Sequence, residues 1–325
     1  MGNAVRQRLL AIAVPFALLV LAAGSLYADN ARANVALQQG RVDEAKSLLQ
    51  ASLQQQPNDA QGHHLLCRVF YAQDMGDQAI PECELATTLA PGNSDYQMWL
   101  GRAYGLKASH TNMIAAFKLA KKVRVAFAQA VQLDSNNFQA MNDLGDFYVD
   151  APGIVGGGTD KAQTLADQMA PHFPAQAHRL RGMVAEQKSD MKTAEAEFKA
   201  AVSVAHTPDT YIDLAGFYQR QHRADESVAT IRLAVAADRA KDAILVDAAT
   251  VLTDAQRSPD LAIKLLREYL ASPAKSDAAP AFKVHIQLGE LLAKAGDSAG
   301  QQAEYAAAQA LASGFKVSNH APEGQ

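Results

Sequence analysis

Four short segments of this chain repeat one pattern, and the repetition constrains the fold more than any other feature. In each segment a leucine is followed at once by a small residue and, three positions later, by Tyr or Leu. The segments are LGRAY at 100–104, LGDFY at 144–148, LAGFY at 214–218 and LGELL at 288–292. Residues spaced by three and four positions lie on one face of an α-helix. The repetition therefore predicts one kind of helix that is used several times.

Helices of a second kind are predicted between these segments. Ala194, Phe198 and Ala201 are spaced so that they share one helical face. The same spacing recurs at Ala79, Cys83 and Ala86 and at Ala45, Leu49 and Ser52. Alanine is plentiful and aromatic residues make up only 6% of the chain, which favours helices that pack closely through small side chains. We therefore expect an all-α protein built from helical hairpins.

This pattern resembles the tetratricopeptide repeat (TPR) family, whose 34-residue unit is a helical hairpin. That unit carries W-x2-L-G-x2-Y on its first helix, A-x3-F on its second and proline at its end. Pro57 and Pro91 are 34 residues apart. The resemblance implies a TPR-type hairpin solenoid of about eight repeats, coiled into a right-handed superhelix with a concave binding surface. An APGIVGG-type loop followed by Asp-Lys-Ala is also similar to loops of exported bacterial TPR proteins.

The resemblance covers residues 29–313 and leaves no room for a separate catalytic domain. The expected units run approximately over 29–57, 60–91, 94–137, 138–174, 175–207, 208–242, 243–280 and 281–313. Two insertions interrupt them. Gly101 and Phe127 are 26 residues apart where Gly289 and Tyr305 are 16 apart, so extra residues near 105–122 should lengthen the third hairpin. About five more lie at 151–158, and 314–325 is expected to be a flexible tail.

The first 28 residues are predicted to be an export signal. Arg6 and Arg8 precede an apolar run from Leu9 to Ala23, and small residues follow up to Ala28. Removal after Gly24 or Ala28 would place the protein in the periplasm or cell envelope. The alternative is an uncleaved inner-membrane anchor, although the run is short for a span of about 20 residues. Only in that case would the membrane be a partner.

The chain contains two cysteines, Cys67 and Cys83. Cys67 occupies the small-residue position of a first helix, and Cys83 occupies the position that Phe or Tyr takes on a second helix. Both should point into the same hairpin. A disulfide and two buried free thiols are both consistent with this placement.

The polar face of the first helices is the predicted binding groove. Its residues are Asn30, Asn34, His64, Arg68, Met98, Arg102, Asn142, Asp146 and Arg179. Asn, Arg and His can hydrogen-bond a peptide backbone or a carboxylate. Members of the family that clamp a carboxylate use Lys, Asn and Arg on this face, but the spacing here does not reproduce their set. We expect a non-catalytic, exported scaffold that binds a protein or peptide partner in this groove.

A Gly-rich loop indicates an alternative function. Gly156, Gly157 and Gly158 lead into Thr159 and Asp160, which are typical of a helix start. Consecutive amides at a helix start can hold an anion, but the Gly-Lys-Ser/Thr of a phosphate-binding loop is missing. The alternative function is therefore a carrier or enzyme accessory that binds a glycan or small anionic ligand near this loop.

Other classes of protein are disfavoured. No Ser/His/Asp, Cys/His or HExxH arrangement indicates an enzyme or a metal site, and no cofactor is expected. A net charge of −4 lacks the basic excess typical of nucleic-acid-binding proteins. Residues 113–124 form an amphipathic basic segment that could contact a membrane surface or an acidic partner, or could be a solvated helix. Self-association is possible.

Overall fold

The computed structural model describes residues 29–315, and this part of the chain contains helices and no strands. The first helices of its eight hairpins are α1 (residues 29–38), α3 (Ala60–Ala72), α5 (Ser94–Ser109), α7 (Phe138–Asp150), α9 (Pro174–Gln187), α11 (Pro208–Arg220), α13 (Ile244–Asp254) and α15 (Ala281–Lys294). The second helices are α2 (Val42–Gln55), α4 (Gly76–Leu89), α6 (Met113–Leu133), α8 (Thr159–Met169), α10 (Met191–Ala205), α12 (Ala224–Ala237), α14 (Pro259–Ala271) and α16 (Ser298–Leu311). The predicted all-α hairpin solenoid is confirmed.

Side-chain caps define several helix starts. Asn93, Asn112 and Asn137 each accept a hydrogen bond from the backbone N–H three residues later, which satisfies one of the free donors at a helix amino terminus. Proline occupies the first position of α9, α11 and α14, where its missing N–H costs nothing. Local chemistry therefore sets these boundaries.

A small residue on the first helix faces a large one on the second. A Cβ built on Gly101 would lie 2.5 Å from the ring of Phe127, and one on Gly289 would lie 2.7 Å from the ring of Tyr305. The helices can approach this closely only because the glycines have no side chain. In the second hairpin the same two positions hold Cys67 and Cys83, which form a disulfide with their Cα atoms 5.3 Å apart.

The two insertions lie in the third and fourth hairpins. Helices α5 and α6 have 16 and 21 residues, and a short 3₁₀ helix, η1 (Gly153–Val155), precedes α8. Helix α6 contacts η1. A Cβ built on Gly156 would lie 2.4 Å from Cδ of Arg124, so the arginine stem lies directly against the loop. The two irregular regions therefore form one feature.

The first helices form the inner wall of the solenoid. Each first helix from α3 to α11 contacts the next first helix along the chain. Because the inner side of a curved stack has the smaller radius, neighbouring helices are closest there. None of the helices within residues 29–315 is both long and apolar enough to cross a membrane.

The last hairpin rests on the first two. Lys283 at the start of α15 donates to Asp74 in the α3–α4 turn across 2.7 Å. A Cβ built on Gly40, in the α1–α2 turn, would lie 2.7 Å from the backbone nitrogen of Ala281. Phe282 belongs to the same hydrophobic core as residues of the first five hairpins. The superhelix therefore makes one turn, and its end contacts its beginning.

The predicted flexible tail is wrong at its first residues. Phe315 is 7% exposed, and its ring packs edge to face on Phe282 with centroids 4.9 Å apart. The adjacent backbone N–H of Ser313 donates to Asp43 in α2 across 2.7 Å, so this segment also takes part in the closure of the superhelix. Residues 316–325, and the predicted signal segment 1–28, lie outside the described residues.

Candidate functional site

Polar and aromatic residues that face the inside of the superhelix recur at three positions of the first helices. Counted from the small residue that faces the second helix, they are three before it, two before it and one after it, which share one side of a helix. We call the polar and aromatic residues at these positions the concave wall. They are His64, Arg68, Trp99, Arg102, Asn142, Asp143, Asp146, Arg179, Asp213 and Asp247.

Ion pairs join neighbouring helices along the concave wall. Nε of Arg102 on α5 donates to Asp143 on α7 across 2.6 Å. Arg179 on α9 donates to Asp146 on α7 across 2.8 Å and to Asp213 on α11 across 3.1 Å. Planar guanidinium groups suit such paired contacts with carboxylates. The wall is therefore a network that spans four consecutive hairpins.

Arg179 is the centre of this network. Burial lowers its pKa, but the carboxylates of Asp213 and Asp146 outweigh burial and raise the pKa above its ordinary value. The guanidinium stays charged at every physiological pH. Arg179 therefore holds α7, α9 and α11 in a constant arrangement.

An aromatic and cationic group lies near the amino-terminal end of the wall. The guanidinium carbons of Arg68 and Arg102 lie 5.1 and 4.8 Å from the ring centroid of Trp99, within the range of cation–π attraction. Tyr71 meets the same ring edge to face, with centroids 5.3 Å apart. This group combines a flat apolar surface with two oriented donors.

His64 completes that group as a neutral imidazole. Its ring stacks on Tyr96 with centroids 4.5 Å apart. Burial and, second, the positive charge of Arg68 lower the pKa of His64 to about 3. His64 therefore contributes polarity and stacking but no positive charge at neutral pH.

A cavity of about 500 Å³ opens in the middle of the wall. Arg220 and Glu186 meet on its rim through two hydrogen bonds of 2.9 Å, and a Cβ added to Gly216 would meet only Nη1 of Arg220. The lining residues are Val149, Asp150, Arg179, Met183, Glu186, Gln187, Phe198, Ile212, Asp213, Gly216, Arg220 and Val251. Its mixed apolar and charged walls can accept a side chain of a bound polypeptide.

Carboxylates dominate the carboxy-terminal part of the wall. Desolvation by the surrounding protein, followed by repulsion from Asp209, Asp213 and Asp242, raises the pKa of Asp247 to about 6, although the side chain is exposed. Like charges disfavour ionisation of a neighbouring acid. This part of the wall is therefore electrostatically unlike the end near Trp99.

The structure brings some predicted groove residues together and buries others. Arg68, Arg102, Asp146 and Arg179 take part in the ion pairs of the wall, and Asn142 is partly exposed on it. Met98 does not line the groove. It is 1% exposed and packs in the core, because an apolar side chain gains more by turning inward.

The other predicted residues lie at the amino-terminal end. Asn30 is 2% exposed and donates to Asp59 across 2.7 Å. Oδ1 of Asn30, Oδ1 of Asn34 and Nδ1 of His64 are buried without a hydrogen-bond partner among the described residues. These three therefore present polar atoms that no protein group satisfies.

Five residues of the site, Asp247 among them, were missing from the sequence prediction. Trp99, Asp143 and Asp213 lie two positions before the small residue of their helices, immediately before the repeated leucine. A prediction based on residues spaced by four omits the position before the leucine, although aligning the repeats shows that position. Asp277, which pairs with Arg68 across 2.9 Å, comes from the α14–α15 loop and carries no repeat signal.

The backbone amides of the Gly-rich loop donate to nearby backbone carbonyls. The N–H groups of Gly156, Gly157 and Gly158 donate to the carbonyls of Gly153, Pro152 and Tyr148. Gly157 has no room for a side chain, since a Cβ would lie 1.8 Å from a backbone oxygen. Thr159 and Asp160 begin α8. The three glycine amides of the predicted anion site are therefore already used by carbonyls of the loop and of α7.

Metal-binding groups of side chains are the last kind of site to consider within residues 29–315. No cluster of three or more His, Cys, Asp or Glu residues is arranged there to hold an ion.

Comparisons with known proteins agree with this architecture. The tetratricopeptide repeat profile matches residues 36–104. The structure of yeast Tom70 superposes with a TM-score of 0.52 at 16% sequence identity, covering 83% of this chain and 55% of that one. This chain thus spans about half of the Tom70 structure. A tetratricopeptide repeat protein from Parabacteroides merdae matches at 12% identity with a TM-score of 0.48, covering 83% and 98% of the two chains. No curated protein sequence matches.

The eight hairpins, the small-to-large packing between their helices and the matched profile define the class. The described residues form a tetratricopeptide-type helical-hairpin solenoid, and residues 36–104 are similar to tetratricopeptide repeat proteins in sequence.

Proposed function

We propose that the concave wall binds a protein or peptide partner and that the chain acts as a non-catalytic scaffold. The observation that carries this proposal is the continuous row of oriented donors, acceptors and aromatic surface from Arg68 on α3 to Asp247 on α13. An extended polypeptide offers alternating backbone and side-chain groups over a comparable length, and such a surface can recognise them. The cavity beside Arg179 would take one anchoring side chain.

Charge along the wall indicates how the partner lies. Arg68, Arg102 and Trp99 favour acidic or aromatic groups at the amino-terminal end. The carboxylates around Asp247 favour basic groups at the carboxy-terminal end. We therefore expect the bound segment to carry opposite charges at its two ends.

Filling the cavity tests the proposal. Gly216→Met places a side chain in the cavity, where a Cβ meets only the flexible end of Arg220 at 3.2 Å, and should weaken partner binding about tenfold or more. Gly105→Met is the matched control, because a Cβ there meets only Val123 at 3.9 Å and the position does not line the cavity. Circular dichroism checks that both variants fold.

A photo-crosslinking amino acid identifies the binding face directly. Placed at Asn142, it should give a discrete polypeptide adduct that Gly216→Met removes. Placed at Leu233, which is 54% exposed on α12, it should give none. Equal adducts at both positions would place the binding surface outside the concave wall.

We also propose that the scaffold is exported to the cell envelope. Two observations support this proposal: the charged and apolar pattern of residues 1–28, and the disulfide between Cys67 and Cys83, since disulfides persist in oxidising compartments. Cell fractionation with amino-terminal sequencing tests it. A processed chain in the envelope fraction is expected, and an intact chain confined to the cytosol would contradict export.

A further inference from the structure

We propose that the two insertions together form a docking surface for an anionic lipid bilayer. This surface, here called the basic tip, consists of the amino-terminal part of α6, residues 113–125, and η1, residues 153–155. It is separate from the concave wall, so it does not depend on the function proposed above.

The insertions form one protrusion although they belong to different hairpins. Helix α6 has 21 residues, whereas α4 and α8 on either side have 14 and 11, so its first turns extend past them. Helix α6 contacts η1, and Arg124 packs against Gly156. The basic tip is therefore a composite surface held by the fold.

Large apolar side chains are concentrated on the basic tip. Met113, Ile114 and Ile154 are 87%, 75% and 73% exposed, and they are the three most exposed large hydrophobic side chains in residues 29–315. The next most exposed, Leu233, reaches 54%. Such solvated aliphatic groups gain free energy when a second surface removes them from water.

The charge around these side chains is positive. The 13 residues from 113 to 125 contain four Lys or Arg and no Asp or Glu, in a chain with 34 acidic residues among 325. Asn112 caps the amino terminus of α6, so the positive end of the helix dipole lies beside Met113 and Ile114. Charge complementarity therefore selects an anionic partner.

Three lysines are positioned to meet that partner. Lys118 is exposed and has no ion pair among the described residues. Nζ of Lys121 lies 4.4 Å from the ring centroid of Phe117. Nζ of Lys122 lies 4.7 Å from the ring centroid of Tyr104 and 3.9 Å from the exposed carboxylate of Glu84. Aliphatic tips with lysines behind them match the apolar interior and the phosphate layer of a bilayer.

The shape of the tip favours lipid over an acidic peptide. Peptide recognition uses a groove or cleft, and here that feature lies on the concave wall. The basic tip is instead a projecting helix end. A fluid, flat surface can take up projecting side chains without a complementary pocket, so a bilayer is the better fit.

A fluorophore on the tip provides the test. The full chain carrying Met113→Cys is labelled with nitrobenzoxadiazole, which reacts there because both native cysteines are in the disulfide. Vesicles of phosphatidylcholine with phosphatidylglycerol should shift its emission to the blue, and vesicles of phosphatidylcholine alone should not. The label reports only the environment of position 113, so contact made by residues 1–28 does not mimic this signal. The same label at Leu233→Cys should not respond.

Charge variants complete the test. Lys118→Glu/Lys121→Glu/Lys122→Glu should weaken vesicle binding, measured by the shift at position 113, at least about tenfold. The same charge change at exposed Lys192, Lys264 and Arg267 should leave it within about twofold. No shift with anionic vesicles would overturn the proposal. A response to polyglutamate but not to vesicles would also overturn it, and would assign the tip to an acidic polypeptide.

Discussion

Arg68 and Asp277 are 209 residues apart in the chain, yet Nε of the guanidinium donates to the carboxylate across 2.9 Å. Their side chains are only 17% and 12% exposed. Arg68 also contacts Trp99, the aromatic centre of the concave wall. The pair therefore joins the contact between the two ends of the superhelix to the surface that we propose for partner binding.

Removing this pair should destabilise the protein. Arg68→Met leaves the largely buried Asp277 carboxylate without its donor, and we expect a loss of about 2 kcal/mol in the free energy of unfolding. Urea denaturation measures it, with Arg232→Met on the exposed face of α12 as the control. In Arg68→Met/Asp277→Asn the two losses should not add. Simple additivity would show that the two charges do not interact.

Phe315 should stabilise the closed superhelix. Phe315→Ala removes a buried ring from its contact with Phe282, and we expect a loss of about 3 kcal/mol. Leu233→Ala at an exposed site should cost much less. Equal midpoints of thermal unfolding for Phe315→Ala and the parent protein would mean that Phe315 is not packed in solution.

The disulfide should contribute strongly to stability. Cys67 and Cys83 enclose a separation of 16 residues, for which the chain-entropy relation gives about 3 kcal/mol. Cys67→Ala/Cys83→Ala should lose approximately this amount, and the parent protein under reducing conditions should behave similarly. Thiol titration of the denatured, unreduced protein should find no free thiol. Two reactive thiols there would contradict the bond.

Two glycines on α5 should respond oppositely to the same substitution. In Gly101→Ala the new methyl group would lie 2.5 Å from the buried ring of Phe127, so overpacking should cost about 2 kcal/mol. In Gly105→Ala the methyl has room, and the better helix propensity of alanine should add about 0.5–1 kcal/mol. Denaturant midpoints that move in the same direction would refute this packing.

Desolvation of Asp247 and, second, repulsion from nearby carboxylates predict a defined pH dependence of stability. Its pKa is about 6 in the folded protein against a model value of 3.8, so the folded state binds more protons between these values. Stability then falls as pH rises through this window. Asp247→Asn should raise stability at pH 7 by about 1 kcal/mol, since solvent screens part of the repulsion, and should give no gain near pH 4.

Glu195 provides a control, because its contribution to stability has the opposite pH dependence. Hydrogen bonds from Arg223 and then Lys199 lower its pKa to about 2, so its contribution is present above its ordinary pKa and is lost as the pH falls. Glu195→Gln should therefore destabilise the protein at pH 7. Urea titrations at several pH values measure both variants, and a gain for Asp247→Asn that persists at pH 4 would exclude the raised pKa of Asp247 as its cause.

The repeat pattern predicted much of the concave wall. The register of LGDFY places Asp146 on the inner face, and the equivalent positions predict Arg68 and Arg102. Met98 occupies the same repeat position as Asn142 but is buried. The repeat position fixes only the direction in which a side chain leaves the helix, and the chemistry of the side chain decides whether it turns toward water. Trp99, Asp143 and Asp213 were not predicted, because they occupy a second inward-facing position that the strongest repeat signal does not mark.

The amino-acid sequence by itself determined the hairpins, their small-to-large packing and the positions that the two cysteines share, because each depends on spacings within one repeat. Only the tertiary structure decided that Asp277 reaches Arg68, that Phe315 is buried and that the two insertions meet at Gly156. These contacts depend on the rotations accumulated over successive hairpins. No local spacing encodes that sum, so the closure of the superhelix and the surfaces it creates emerge only when all the repeats are stacked.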